Sequence, residues 1–481
     1  MKKIYLFALS LLSLVSCGDF DEINTNPDTP TVVTPSFLAT QIILKTTEST
    51  TGKWFIADSW LVKQTTFTEH LEWYLYNKFE RTDFDDYSIL TDADKMREIA
   101  DANESMKEAE KKAYEGLNLF VRSYALYGMT MAMGDIPCSE AAKGESGAIY
   151  APKYDTQEAV FESILNDLRK ASDLFSEASS FNGDPVYNGD PSLWQKAANS
   201  FSLRVLNMLS KKENVGSINV RTMFEEMALR PLFTSEAESF QRVYSADKSA
   251  QWYPFYWEKQ NYWTYPFMTS FIVDMMKKLE DRRLFYYAEP AKALVSKGED
   301  SFDAYSGVNP VLAYGVVQDE CANGLHSAIN KRYFQIAEGE PVKFIAYSEI
   351  QFVLAEAALQ FTAKYTPAEY SHQVVIDDAY IDQYLQGKAA FNASLEQIIE
   401  QKFIGSVFQL SFNSYYDYRR IGLPKIPIDA QTNMNEVKDQ LPLRWMYPED
   451  EYSRNRENIE EAINRQFGGN DTPNDVMWLL K

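Results

Sequence analysis

Residues 191–209 read Pro-Ser-Leu-Trp-Gln-Lys-Ala-Ala-Asn-Ser-Phe-Ser-Leu-Arg-Val-Leu-Asn-Met-Leu. Ser192 with Gln195 makes a capping box directly after Pro191, and Trp194, Ala197, Ala198, Phe201, Val205 and Leu209 recur at three- and four-residue steps. That spacing predicts one buried face of a long helix. The same signal repeats along the chain. Asp155 with Glu158 opens a stripe of Phe161, Ile164, Leu165, Leu168 and Phe175, and Ser394 with Gln397 opens one of Ile398, Phe403, Ile404 and Val407. Residues 105–133 keep Ala109, Ala113, Leu117, Phe120, Tyr124 and Met131 on one side. Strand-like alternation is scarce, so the fold class is mainly α. Irregular stretches near 177–192, 234–266 and 285–343 hold many of the prolines and glycines, and loops of that length are usually either functional or wrongly assigned.

The N-terminus has a different character. Lys2 and Lys3 precede an apolar run over residues 4–15 that ends at Ser16-Cys17. The run falls well short of the ~20 apolar residues of a membrane-spanning helix, so residues 1–16 read as a cleaved signal peptide. Ser16-Cys17 resembles the bacterial lipobox, in which the cysteine is acylated and becomes the new N-terminus. Residues 17–34, rich in Asn, Asp, Thr and Pro, read as a lipidated tether. A single domain is expected over 35–481.

The chain of 481 residues carries a formal charge of −22, which becomes −24 when Lys2 and Lys3 leave with residues 1–16. A surface this acidic repels phosphate backbones and anionic lipid, which argues against nucleic acid as a partner and leaves the acyl chains to hold the membrane. Beyond Cys17 only Cys138 and Cys321 occur; a disulfide between them and two separate buried thiols are both compatible with the sequence. His70, His326 and His372 lie far apart, no Cys-x-x-Cys is present, and no metal or cofactor is expected.

Several segments carry a resemblance to a known family. Asp19-Phe20-Asp21-Glu22-Ile23-Asn24-Thr25-Asn26-Pro27 follows the lipobox, and Tyr127-Gly128 precedes Gly-Asp-Ile-Pro-Cys-Ser-Glu-Ala at 134–141. Leu-Glu-Asp-Arg-Arg-Leu stands at 279–284, and Ser-Glu-Ile-Gln-Phe-Val-Leu-Ala-Glu-Ala-Ala at 348–358. Tyr-Arg-Arg-Ile-Gly-Leu-Pro at 418–424 and Leu-Pro-Leu-Arg-Trp-Met-Tyr-Pro at 441–448 complete the set, before Glu451, Tyr452, Asn455 and Asn458. With the helix at 194–209, these resemble the SusD/RagB family of outer-membrane lipoproteins, in its SusD-like branch, over nearly the whole mature chain. Cys138 stands where the family pattern has Tyr, and Arg282 where it has Pro. The resemblance implies tetratricopeptide-like helix pairs packed against a loop-rich irregular half. Asp19, Asp21 and Glu22 resemble the surface-export tag of lipoproteins in the Bacteroidetes, which implies the outer face of the outer membrane. Most of these motifs read as structural. Glu349 and Glu356, seven residues apart on one helix face, are expected to pair with Arg419, Arg420 or Arg444.

The candidate binding residues lie in 251–267, where nine of seventeen positions are aromatic against 14% for the chain. Two prolines and the lack of a 3.6-residue stripe argue against a helix. Trp252, Tyr253, Trp257, Tyr262, Trp263 and Tyr265 could stack on the apolar faces of sugar rings while Asn261 meets hydroxyls. The competing reading is a loop pinned by its own rings into a small core. A second stretch, Trp54, Trp60, Trp73, Tyr74 and Tyr76, has better helical spacing and reads as core, with the platform as second choice. The resulting expectation is a cell-surface, lipid-anchored protein that captures an oligosaccharide and delivers it to a SusC-type TonB-dependent transporter, without bond-breaking chemistry. A RagB-like peptide receptor is the first alternative. A surface glycoside hydrolase is the less favoured one, because no carboxylate pair or Gly-x-Ser-x-Gly, His-Glu-x-x-His or P-loop pattern marks a catalytic site.

Overall fold

Thr34 starts the first helix, α1 (Pro35–Thr46): its hydroxyl accepts the Phe37 N–H at 3.2 Å and Pro35 occupies the first turn, where its missing N–H costs nothing. The computed structural model describes residues 33–259, 261–351 and 354–481, with the backbone alone for 354–357. The signal peptide, Cys17 and the tether as far as residue 32 lie outside the described residues.

After the short α2 (Ala57–Leu61), helices dominate: α3 (Tyr87–Ala102), α4 (Glu108–Met133), α5 (Gln157–Glu177), α6 (Pro191–Met208) and α7 (Val220–Ala228). α3 packs on α1, and from α4 to α7 each helix packs on its predecessor, giving the expected tetratricopeptide-like run of helix pairs. Their apolar faces meet in a first core where Trp194 lies edge-on to Phe120 at 5.2 Å and stacks on Phe175 at 6.1 Å. Two helix starts sit differently from the sequence reading. The cap of α6 is Asp190, whose carboxylate accepts the Ser192 N–H at 2.8 Å, because the proline at the first helical position places the cap one residue before it. The cap of α5 is Thr156; Asp155 instead accepts the backbone N–H groups of Cys138 and Ser139 at 2.9 and 2.7 Å, which ties the 134–141 segment to the helix start. The third cap is as expected, Ser394 accepting the Gln397 N–H at 3.2 Å.

The second half is loop-rich. Among the described residues the strands have two to four residues and form three antiparallel pairs: β1 (Thr65–Phe67) with β5 (Pro266–Met268), β2 (Asn214–Val215) with β3 (Ile218–Asn219), which packs on the helical half, and β4 (Phe240–Arg242) with β6 (Val342–Ile345). Around α8 (Ser270–Leu279), α9 (Arg283–Tyr287), α10 (Leu354–Lys364), α11 (Leu395–Gly405) and α12 (Ser411–Ile421) a second core gathers Trp60, Tyr253, Phe285, Phe403 and Tyr415. Ala132, Phe344 and Tyr416 pack against both cores and join them.

Buried ion pairs brace the irregular parts. Arg283 and Asp281 are both fully buried, with Nη2 to Oδ2 at 2.5 Å, and Arg332 meets Glu340 at 2.6 Å. Glu349 pairs with Arg204 of α6, which approaches through Nε at 2.9 Å and through Nη2, and not with Arg419, Arg420 or Arg444. Those three are engaged elsewhere: Arg419 donates to the Met131 and Leu443 carbonyls, Arg420 pairs with Asp417, and Arg444 with Asp471. The Glu356 side chain lies outside the described residues. Cys138 and Cys321 are separate buried thiols, the first in the helical core and the second against Val308 and Val317, which closes the question the sequence left open. Among the described residues no helix is long and apolar enough to cross a membrane.

Candidate functional site

The aromatic loop at 251–267 is largely turned inward. Tyr253 is fully buried. Its N–H donates to the Ala337 carbonyl at 2.7 Å, its ring meets Phe55 edge-on at 5.2 Å, and Gly339 lies so close, with φ +52°, that a Cβ there would come within 2.3 Å of the ring. Tyr253 is therefore a core residue and cannot stack on a ligand in this arrangement. Trp263 stacks on Phe334 at 5.0 Å, while Tyr262 and Tyr265 pack on Phe67 at 6.2 and 5.6 Å. Trp252 is half-buried, with Nε1 donating to the Ala246 carbonyl at 3.2 Å. Only Trp257, 43% exposed, and Asn261 face solvent freely among the seven candidates.

The second aromatic stretch divides. Trp60 and Tyr76 are core, whereas Trp54 and Trp73 are 54% and 45% exposed. Trp54, Trp60, Trp73, Tyr74 and Trp445 line a cleft of ≈ 370 Å³, with Leu71, Glu72, Lys78, Glu80 and Arg81 completing its wall. Lys63 holds the turn that presents Trp73 and Tyr74. Its buried amine donates to the Leu75 and Tyr74 carbonyls and to Asn77 Oδ1 at 2.8 Å, and Asn77 takes the left-handed conformation that ends the turn. Burial pushes that amine down to about 7. Across the cleft, Trp445 stacks on Phe79 at 4.3 Å and donates its indole N–H to the Tyr74 hydroxyl at 3.1 Å.

The cleft's cations are matched by anions. Lys53 sits over the Trp54 ring at 4.8 Å and pairs with Glu72 at 2.9 Å; Lys78 sits over Trp73 at 3.8 Å and pairs with Glu80 at 3.3 Å. Arg81 meets Glu449 at 2.6 Å and Asp471 at 2.7 Å. Flat rings with a charge-balanced polar rim can receive an uncharged, hydroxyl-rich ligand by stacking and hydrogen bonding. The aromatic spacing could have pointed here, but Trp54 lies in one short 3-10 turn and Trp73 caps another, so the helical reading that assigned the whole stretch to core did not apply.

Behind Trp54 lies a second cavity of ≈ 390 Å³, bounded by α2, α4, α6, β6 and α12. On its wall, burial pushes the Asp58 carboxyl up from the ordinary 3.8 to about 7. A carboxyl raised in this way keeps its proton in the folded chain where the unfolded chain has lost it. Stability contributed by this group therefore falls as pH rises from about 4 to 7, and the whole cost of burying the carboxylate is present above about 7. Asp58→Asn is expected to raise unfolding free energy by on the order of 1–3 kcal/mol at about pH 8 and to do nothing near pH 4. Denaturant titrations at the two pH values measure this, and equal effects at both would refute it.

A family model described as starch-binding and associating with the outer membrane matches residues 27–448. The chain belongs to the SusD-like family. A SusD homologue from Bacteroides fragilis NCTC 9343 is 37% identical, with 93% of this chain and 100% of that one covered and a TM-score of 0.88. An outer membrane protein from Bacteroides vulgatus ATCC 8482, assigned to nutrient binding, is 30% identical over 93% and 100% of the two chains, with a TM-score of 0.82. A chitin-binding protein at 22% identity and TM-score 0.69, covering 93% of this chain and 100% of its own, shares the fold. Among curated proteins none matches the sequence. Within this SusD-like chain the recognisable segments are chiefly scaffold. Asp135 of the 134–141 segment accepts the Gln157 N–H and pairs with Arg465, and Tyr447 donates its hydroxyl to the Asp135 carbonyl at 2.7 Å. Trp445, from the 441–448 segment, is the residue that carries this scaffold into the cleft.

Proposed function

We propose that this SusD-like protein captures a neutral oligosaccharide at the cell surface and passes it to a SusC-type TonB-dependent transporter in the outer membrane, binding without breaking bonds. The observation that supports this reading is the pair of half-exposed tryptophans, Trp54 and Trp73, facing a cleft whose charges cancel, in a family described as starch-binding. Screening the soluble form lacking residues 1–17 against neutral glycans and against peptide pools tests it. Binding of glycans with no turnover supports the reading; binding of peptides alone moves the protein to the RagB-like alternative, and turnover of a bound glycan to the hydrolase.

The anchor in this reading is Cys17, with acyl chains supplying about 0.8 kcal/mol per buried CH₂. Cys17→Ala is expected to convert the protein from membrane-associated to soluble on cell fractionation. Retention of the variant in the membrane fraction would refute the lipid anchor.

A further inference from the structure

The cavity behind Trp54 differs in chemistry from the cleft in front of it. Its wall brings together Asp58 from α2, Tyr124, Tyr127 and Gly128 from α4, Arg204 from α6, and Phe412 and Tyr416 from α12. Both wall cations are already neutralised, Arg204 by Glu349 and Lys343 by Glu236 at 2.8 Å. Asp58 has no such partner: burial alone sets the state of its carboxyl, with no opposing charge or hydrogen bond contributing. Glu48, exposed at the rim, adds a second negative group. The Tyr127 side chain is buried, and its hydroxyl lacks any hydrogen-bond partner although a buried phenol normally finds one. An unpaired acid and an unpaired hydroxyl on an aromatic wall are what an organic cation needs: a counter-charge, an acceptor, and ring faces that attract positive charge.

We propose that this cavity is a second binding site, which takes a protonated primary amine, with Asp58 as its counter-ion, Tyr127 as hydrogen-bond acceptor and Trp54 and Tyr416 as the surrounding rings. An amino sugar and the amino group of a peptide share that chemistry. The site does not depend on the neutral-glycan reading of the cleft, with which it shares only Trp54. Gly128 lies on its wall: a Cβ added there meets no atom within 4 Å, so the position has room for a larger side chain, and Gly128→Leu is expected to occlude the site.

Calorimetric titration of the soluble form lacking residues 1–17, at neutral pH, separates the possibilities. The probes are glucosamine, N-acetylglucosamine and glucose, together with triglycine and N-acetyl-triglycine. Each free amine is expected to bind at least tenfold more tightly than its neutral counterpart, for the sugar series, the peptide series or both, which identifies the source. Asp58→Asn and Gly128→Leu are expected to abolish the preference. Trp73→Ala, confined to the cleft, is expected to leave it intact, so that failure of the glycan reading and failure of this one are distinguishable. Asp58→Asn removes the group that would ionise as counter-ion to the amine without changing side-chain size, and keeps the test available should Gly128→Leu fail to fold. Equal binding of amine and neutral probes in both series, or a preference that survives Asp58→Asn, overturns the proposal.

Discussion

Asp281→Ala is expected to destabilise the protein by about 3–5 kcal/mol, the cost of leaving one member of a buried ion pair uncompensated. Asp281 and Arg283 are both fully buried, and the carboxylate accepts Nε of Arg283 at 3.0 Å, Nη2 at 2.5 Å and the Tyr384 hydroxyl at 2.7 Å. Without it the guanidinium keeps only Gln401 at 2.8 Å as a close acceptor. Replacing both partners with apolar residues of similar volume, Asp281→Leu with Arg283→Met, is expected to recover most of the loss, because the desolvation cost disappears together with the attraction. Denaturant unfolding of the two variants measures the difference. A single variant within 1 kcal/mol of the parent would mean that water reaches the pair.

Trp54→Ala combined with Trp73→Ala is expected to lower affinity for a glycan found by screening about a hundredfold or more, at roughly 2 kcal/mol for each ring that anchors a ligand. Stability should change little, since both rings stand half in solvent. Tyr253→Ala is expected to do the reverse: about 3–5 kcal/mol of stability lost from the core, and no specific effect on binding in the folded fraction. Trp257→Ala, exposed but away from the cleft wall, should affect neither. Unchanged binding in the Trp54/Trp73 double variant would displace the site from this cleft.

These contrasts show what a sequence can convey here. Helix faces were legible because a repeat of 3.6 residues forces one side inward whatever it meets, as Trp194, Phe201 and Val205 illustrate. Helix starts were less so: Asp190, two residues before the expected Ser192, and Thr156, one residue after the expected Asp155, take the caps because of what the neighbouring chain asks of them. The aromatic loop misled for a different reason. Composition counts rings without giving their direction, and Tyr253 and Trp257 look equivalent until Gly339 comes against the Tyr253 ring and the Phe334 carbonyl accepts the Trp257 N–H, from 86 and 77 residues further along the chain. The cleft joins Trp54 and Trp73, which are neighbours in one stretch of sequence, to Trp445 from near the other end of the chain. Glu349 met Arg204 rather than the nearby arginines for the same reason: no local spacing encodes a contact between α6 and the segment before α10.

The path from N-terminus to cleft has a mechanical consequence. The tether proposed for residues 17–34 would enter α1, whose buried face, Leu38, Ala39, Ile42 and Ile43, is packed into the helical core against α3 and α4, with Thr40 donating to the Gly183 carbonyl at 2.9 Å. Trp445 belongs to the other core, and Trp54 and Trp73 line the cleft beside it. Tension drawn through such a tether would therefore load the contacts between helices first, with the cleft on the other core away from the point of pull.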